Sequence, residues 1–497
     1  MSSMQKLNEM RAFAGSRQTT GLSDDILGQL IPKFPQLVAA IDQAYGFWSC
    51  FKLEYPDWFK SSEKELIHKL QDGYVNFYKD EAINPYVALA AQGPWIITSH
   101  GAVIHDNGGY GMLGLGQGPA KVIRAMSGDY VMANIMTASF THRRFLDHIF
   151  KEIGRNRPEG KKKPFAKFLC LNSGSESMTV ACRISDIQAK IMTDSGGKHA
   201  GKKIRFLSQE GSFHGRTERP ARVSHSSKKS YQHLASFRGD TELDIIPAGN
   251  IEKLKEAFTK ADKEGVFYEA FFIEPVMGEG NPGMALSRAF YDEARKLTKE
   301  RGSMLILDSI QAGIRTTGNL SICDYPGFED CDPPDMESYS KAINAGQYPL
   351  SVLALTESAA SLYRKGVYGN TMTTNPRALE VACAVLASLT PELRQNIRDR
   401  GVEFLKKFEA LAKEFPGVIT KVQGTGLLFS VELNEDGYTV LGKKCVELDL
   451  RLNGIGVIHG GKNALRFTPH FGITSAEVDL VVEAVRKSLA KGPIYKD

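Results

Sequence analysis

Short apolar runs recur along the chain and alternate with stretches of helical periodicity: Phe168-Leu169-Cys170-Leu171, Ile204-Arg205-Phe206-Leu207, Phe271-Phe272-Ile273, Met304-Leu305-Ile306-Leu307 and Leu350-Ser351-Val352-Leu353-Ala354. Runs this short and this apolar suit strands covered on both faces, and helices between them imply right-handed crossovers and a mostly parallel sheet. The pattern predicts an α/β fold. Asn, Gly, Glu or Asp follows each of the first four runs within a few residues, so polar groups gather at one edge of the sheet. In open α/β sheets that edge is where ligands bind.

The flanks have a different texture. From Glu63 to Tyr78, Leu66, Leu70, Tyr74 and Phe77 fall near helical spacing, which predicts an amphipathic helix within an N-terminal helical extension. Beyond about Asn375, Thr390-Pro391-Glu392 opens a helix with a capping residue and a proline at its first position. Thr474-Ser475-Ala476-Glu477 forms a capping box ahead of Val478, Val481, Val482 and Val485. The expected division is 1–100 for the extension, 101–374 for a large α/β domain and 375–497 for a smaller α+β domain.

Composition narrows the possible functions. A chain of 497 residues that is 42% hydrophobic can bury large cores. Its 62 basic and 57 acidic residues nearly balance, at a formal charge of +5, which argues against a dedicated nucleic-acid binder. The basic cluster from Arg155 to Lys163 contains Pro158 and Gly160 and reads as a solvated loop. Seven cysteines, an odd number without CxxC spacing, suit reduced thiols in a cytoplasmic protein, and no metal is expected. No apolar run approaches the roughly 20 residues of a membrane span, so no membrane partner is expected either.

The candidate chemistry lies at the polar edge. Asn172-Ser173-Gly174-Ser175-Glu176-Ser177 follows one apolar run and precedes a helix-like stretch, where free backbone N–H groups and a positive dipole end can cradle a phosphate through Gly174 and Ser175. The same letters also suit a plain N-cap and turn. In Gly211-Ser212-Phe213-His214-Gly215-Arg216-Thr217, Phe213 can lie flat on a protonated ring, and Arg216 has the planar donor fork that binds a carboxylate, though a solvent-facing arginine fits the spacing as well. Asp308 and Gln311 end the fourth run, and Lys341 stands thirty residues past Gln311 (341 − 311 = 30) in Ser340-Lys341-Ala342. A lysine for a Schiff base, an aspartate for a pyridine nitrogen and an amide for a ring hydroxyl are what a pyridoxal 5'-phosphate (PLP) enzyme needs.

These segments, with Glu274-Pro275-Val276-Met277-Gly278-Glu279, occur in the order found in class III PLP-dependent aminotransferases, and from about Asn107 to Thr474 the chain resembles that family. The resemblance implies the aspartate-aminotransferase type I fold and a homodimer with shared active sites. Lys341 and Asp308 become the catalytic pair, and Gly174, Ser175, Phe213, His214, Glu274, Gln311 and Thr371 join them as cofactor contacts, Thr371 reaching the partner subunit's phosphate. The gamma-aminobutyrate and ornithine branch is the nearest in motif. There an arginine like Arg216 receives the carboxylate of an omega-amino acid, and one like Arg466, paired with a glutamate like Glu279, opens for the carboxylate of glutamate. Arg466 also suits a structural ion pair.

The implied reaction moves the terminal amino group of an omega-amino acid (gamma-aminobutyrate-, ornithine- or lysine-like) to 2-oxoglutarate, giving a semialdehyde and glutamate. The implied partners are therefore a small-molecule amino donor and a 2-oxo acid. An aminomutase or amino-acid racemase would use the same cofactor residues, and a non-catalytic relative would lack the coenzyme. Ser309 stands where the family usually has Glu, and Asn344-Ala345-Gly346 replaces its glycine triplet.

Overall fold

The computed structural model describes residues 1–239 and 242–493. The chain divides into two compact units: residues 1–120, 399–423 and 429–497 form one, and residues 121–398 with 424–428 form the other. The N-terminal helices thus group with the C-terminal residues, whereas the sequence-based division drew three consecutive segments.

The larger unit is built on a seven-stranded sheet. Its strands lie in the order Lys167–Leu171, Ser351–Leu355, Met336–Tyr339, Met304–Asp308, Val266–Ile273, Lys203–Gln209, Leu243–Ile246. Ser351–Leu355 runs antiparallel to both neighbours and the other pairings are parallel. All five apolar runs are strands of this sheet. Two further strands were not expected, Leu243–Ile246 and Met336–Tyr339, and the second carries the buried polar pair Glu337 and Ser338.

Alternation along Val266–Ile273 explains why the sheet is covered on both faces. Phe271 and Ile273 pack with Leu254, Phe258, Phe290 and Leu297 from the helices Ile251–Lys263 and Arg288–Arg301. Ala270 and Phe272 point the other way, against Met178, Ala181 and Ile184 of the helix Gly174–Thr193. Each fully buried phenylalanine contributes about 1.5–3 kcal/mol. Gly302, at φ 78°, ends Arg288–Arg301 in the left-handed conformation that lets the chain turn directly into Met304–Asp308.

A buried ion pair ties two helices of this unit. Arg394 Nη1 and Nη2 donate to Glu152 Oε1 and Oε2 at 2.9 and 2.7 Å, with both side chains under a tenth exposed. Removing Arg394 leaves buried Glu152 with the longer, half-exposed pair to Arg155 Nη1 at 3.9 Å. Arg394→Ala is expected to cost about 3–5 kcal/mol, read as a lower urea midpoint at unchanged slope.

The other unit holds a sheet ordered Ala88–Gln92, Trp95–Thr98, Val103–Asp106, Ile455–Gly456 and another ordered Ile419–Thr425, Leu428–Leu433, Ala464–Phe467, Ile458–Gly460. Its N-terminal region is helical, with Ser3–Phe13, Asp24–Leu30 and Pro35–Glu54 among the elements. The amphipathic helix expected from Glu63 to Tyr78 stops at Gln71. Leu66 is buried, whereas Tyr74 and Phe77 lie outside the helix and exposed, because Asp72, at ψ 133°, and Gly73, at φ 87°, turn the chain off the helical path. The Thr474 capping box forms as expected at the head of Ser475–Leu489, with Val478, Val481, Val482 and Val485 buried.

Candidate active site

The polar ends of adjacent parallel strands bring the catalytic candidates together in the larger unit. Asp308 closes Met304–Asp308 and pairs in register with Ser338, three residues before Lys341 (341 − 338 = 3). Lys341 takes φ 42°, a left-handed conformation that a long L side chain rarely adopts and that persists only where the surroundings enforce it. Its Nζ donates to Gln311 Oε1. Asp308 is buried; Oδ1 accepts from Ile310 N at 3.1 Å and Oδ2 lies 3.0 Å from His214 Nδ1. His214 is itself buried, its backbone N donating to Ser224 Oγ at 2.8 Å.

Glu274 completes this group from the end of the neighbouring strand. Its Oε1 accepts from Phe213 N at 3.1 Å and its Oε2 from Gly278 N at 2.8 Å. Burial is the main cause that pushes its pKa up to about 7, with Asp308 adding to the rise and His214 opposing it. A carboxyl whose folded pKa lies above its unfolded value binds a proton more tightly when folded. Stability is then unpenalised below the unfolded pKa and falls as pH rises toward about 7. Glu274→Gln is expected to flatten that fall, so thermal unfolding midpoints of variant and native protein should separate in the variant's favour as pH rises through this window.

The phosphate cradle expected at Gly174 and Ser175 is the first turn of Gly174–Thr193. A helix leaves its first N–H groups without intrahelical partners; the side chain of Ser173 caps one of them, at Glu176 N. Arg216 N donates to Ser175 Oγ at 3.2 Å, and Thr217 Oγ1 donates to Ser175 O at 3.1 Å. That close approach needs Gly215, at φ 114°, since a Cβ there would meet Ser175 Oγ at 2.7 Å. Glu176 was not singled out in the sequence, yet it links this turn to the 368–370 loop. Its Oε2 accepts from Asn172 N at 2.7 Å and its Oε1 from Tyr368 Oη and Asn370 Nδ2. Thr371 follows, exposed, its carbonyl accepting from Asn134 Nδ2 at 3.3 Å.

Arg216 lies with its guanidinium carbon 5.2 Å from the Phe213 ring centroid, an exposed cation over an aromatic face. Tyr231 joins it without any sequence signal. Its phenol pKa is raised chiefly by burial, drawn down by Arg216 and pushed up by half-buried Glu279, so these three groups share one environment. Arg466 belongs to the other compact unit, on Ala464–Phe467, where it pairs across the sheet with Ser430 and Ile458.

The family's usual Glu after the aspartate is replaced by Ser309, and a carboxylate from the next strand approaches it. Glu337 Oε1 accepts from Ser309 Oγ at 2.5 Å and from Ile322 N at 3.0 Å, and its Oε2 from Ser321 Oγ at 2.7 Å. Burial pushes its pKa up to about 7.

These residues fit a pyridine ring that carries a phosphate. Gln311 Nε2 is buried without a hydrogen-bond partner among the described residues, beside the amine of Lys341, so a donor stands ready for a ring oxygen. Gly174 keeps the helix head open, since a Cβ there would meet Ile310 Cδ1 at 2.7 Å. Asp308 offers a buried carboxylate to a ring nitrogen, and the helix head offers N–H groups to an anion.

Comparison with known proteins bears on the family and the fold. The family description "Aminotransferase class-III" matches residues 78–489. A solved ornithine aminotransferase from Toxoplasma gondii is 22% identical at a TM-score of 0.73, over 88% of this chain and 98% of that one. An acetylornithine aminotransferase from Elizabethkingia anophelis is 21% identical at 0.68, over 87% and 100%, and an S-selective transaminase from Bacillus megaterium is 18% identical at 0.71, over 86% and 98%. At such identities the structural likeness speaks for the fold, that of the fold type I transaminases. No helix among the described residues is long and apolar enough to cross a membrane. From the match over most of its length and the fold it shares, the chain belongs to the class III family of PLP-dependent aminotransferases.

Proposed function

We propose that this enzyme transfers the terminal amino group of an omega-amino acid, of the ornithine, gamma-aminobutyrate or lysine type, to 2-oxoglutarate. The observation that carries the reading is the Arg216 guanidinium beside the Phe213 ring, next to the proposed phosphate cradle and in one environment with Glu279 and Tyr231. A planar donor fork beside that ring suits a substrate with a carboxylate at the end far from its reacting amine.

The chemistry supplied by bound PLP is an electron sink for the bond electrons released at the amine-bearing carbon. Lys341 Nζ, held by Gln311, is the anchor and the group that takes and returns the proton at that carbon. Asp308 holds positive charge on the ring nitrogen, and His214 orients Asp308 through Oδ2. Phe213 covers one ring face, and Gly174 and Ser175 bind the phosphate. Arg216 binds the distal carboxylate of the first substrate. The proposed enzyme is a cytoplasmic homodimer. Val131, Ile135, Met136 and Phe140 expose large apolar area on the segment whose Asn134 touches Thr371, which suits a partner subunit that receives Thr371.

Glutamate formation from 2-oxoglutarate with gamma-aminobutyrate, ornithine, lysine, beta-alanine and simple diamines tests the reading. Turnover of an amino acid without 2-oxoglutarate would favour an isomerase instead. Arg216→Ala is expected to lower kcat/KM for omega-amino acids by the equivalent of about 2–4 kcal/mol and to spare simple amines. Equal losses for both substrate types in competition kinetics would remove Arg216 from the carboxylate site.

A further inference from the structure

Three metal-ligating side chains converge in the smaller unit. His105 lies on Val103–Asp106, His470 follows Ala464–Phe467, and Glu477 stands in the first turn of Ser475–Leu489. His105 Nε2 and His470 Nε2 lie 3.1 and 3.2 Å from the same oxygen, Glu477 Oε1, and the three ligand atoms are all within 4.8 Å of one another. The side chains of His105 and Glu477 are 0% and 2% exposed, and that of His470 is 13%.

We propose that this cluster binds one divalent transition-metal ion of the Zn²⁺ type through His105 Nε2, His470 Nε2 and a Glu477 oxygen. Two imidazoles and a carboxylate are the donor set such ions take, with water filling an open position. At bond lengths of about 2.0–2.1 Å, neighbouring ligands of a tetrahedral ion lie about 3.4 Å apart. Two edges of the cluster are already near that length. The third closes from at most 4.8 Å when the His470 ring, on the half-buried side, moves by no more than about 1.4 Å.

The surrounding groups support the ligands. Glu477 Oε2 accepts from Thr474 N and Oγ1 at 2.8 and 2.7 Å, which fixes the carboxylate and turns Oε1 toward the imidazoles. Asn107 Nδ2 lies 3.0 Å from His105 Nδ1 and 3.2 Å from His105 O, while its Oδ1 is buried without a hydrogen-bond partner among the described residues. Turning that amide over gives up the contact to His105 O. It gives Oδ1 the Nδ1 proton and leaves a lone pair on Nε2, the outer contact that metal-bound imidazoles make. A bound ion takes the lone pairs of both Nε2 atoms in place of their contacts with Glu477 Oε1. The partial exposure of His470 is the route of entry. Filled, the site staples Val103–Asp106 to the head of the last helix and to the segment leaving Arg466, four residues before His470 (470 − 466 = 4).

The test uses tag-free, PLP-saturated protein stripped of metal and titrated with Zn²⁺ and Co²⁺. One equivalent per chain is expected, with the intense visible bands of tetrahedral Co²⁺, a Zn²⁺-dependent rise in unfolding temperature, and affinity weakened by about 100-fold in His470→Ala at unchanged coenzyme absorbance. Equal affinity in native protein and His470→Ala, or no saturable binding at all, overturns the proposal. His470→Gln replaces the alanine variant should that one fail to fold, and Glu477→Gln, which keeps the cap, must abolish the Co²⁺ bands.

Discussion

Lys341→Ala is expected to lower kcat by on the order of 10⁴-fold, the upper range for removing a positioned acid–base group, while the protein still retains PLP. The reason is local. The lysine sits on a left-handed turn that points its amine at Gln311, next to the strand end that carries Asp308. Alanine has no amine to take the proton from the substrate carbon or to anchor the coenzyme, and the φ of 42° is unfavourable for it as well. Glutamate formation under saturating donor reads the loss, and the absorbance of the loaded variant reads the changed coenzyme linkage. Near-normal transamination in this variant would end the assignment of Lys341.

Asp308→Asn should follow with a fall in kcat of on the order of 10²–10³-fold, the scale for losing one preorganised electrostatic group. The substitution keeps the shape of the side chain and removes its charge. Oδ1 can still accept from Ile310 N, so the strand end should hold its fold. The contact with His214 Nδ1 becomes a neutral hydrogen bond, weaker than the charge-assisted one. With no anion opposite, a ring nitrogen loses its proton more readily and stabilises less negative charge. A pH titration of coenzyme absorbance checks this directly. An unchanged profile together with unchanged kcat would assign the ring contact elsewhere.

How legible these sites were depended on which residues carry them. Asp308, Gln311 and Lys341 could be found because each follows a recognisable apolar run or stands in a motif whose order is distinctive. Glu337 could not. It lies on a central strand whose letters, Met-Glu-Ser-Tyr, lack the apolar continuity of a covered strand, and its burial is tolerated because Ser309, Ser321 and Ile322 N supply hydrogen bonds from elsewhere. Tyr231 and Glu176 were hidden for the same reason, since their contacts are long-range. The helix expected to reach Tyr78 failed for the opposite reason. Its apolar spacing is real, but Asp72 and Gly73 turn the backbone before Tyr74 and Phe77 can join the helical face.

By itself, the order of apolar runs and small-residue turns determined the α/β class, the parallel character of the sheet and the family to which the chain belongs, because strand burial and helix capping leave local marks. Tertiary structure alone decided that His214 meets Asp308, that Glu274 is buried enough to hold its proton to about pH 7, and that His105 and His470 share one oxygen of Glu477 although 365 residues separate them (470 − 105 = 365). Such pairings arise when distant segments pack, and desolvation then sets their chemistry, which no local periodicity encodes.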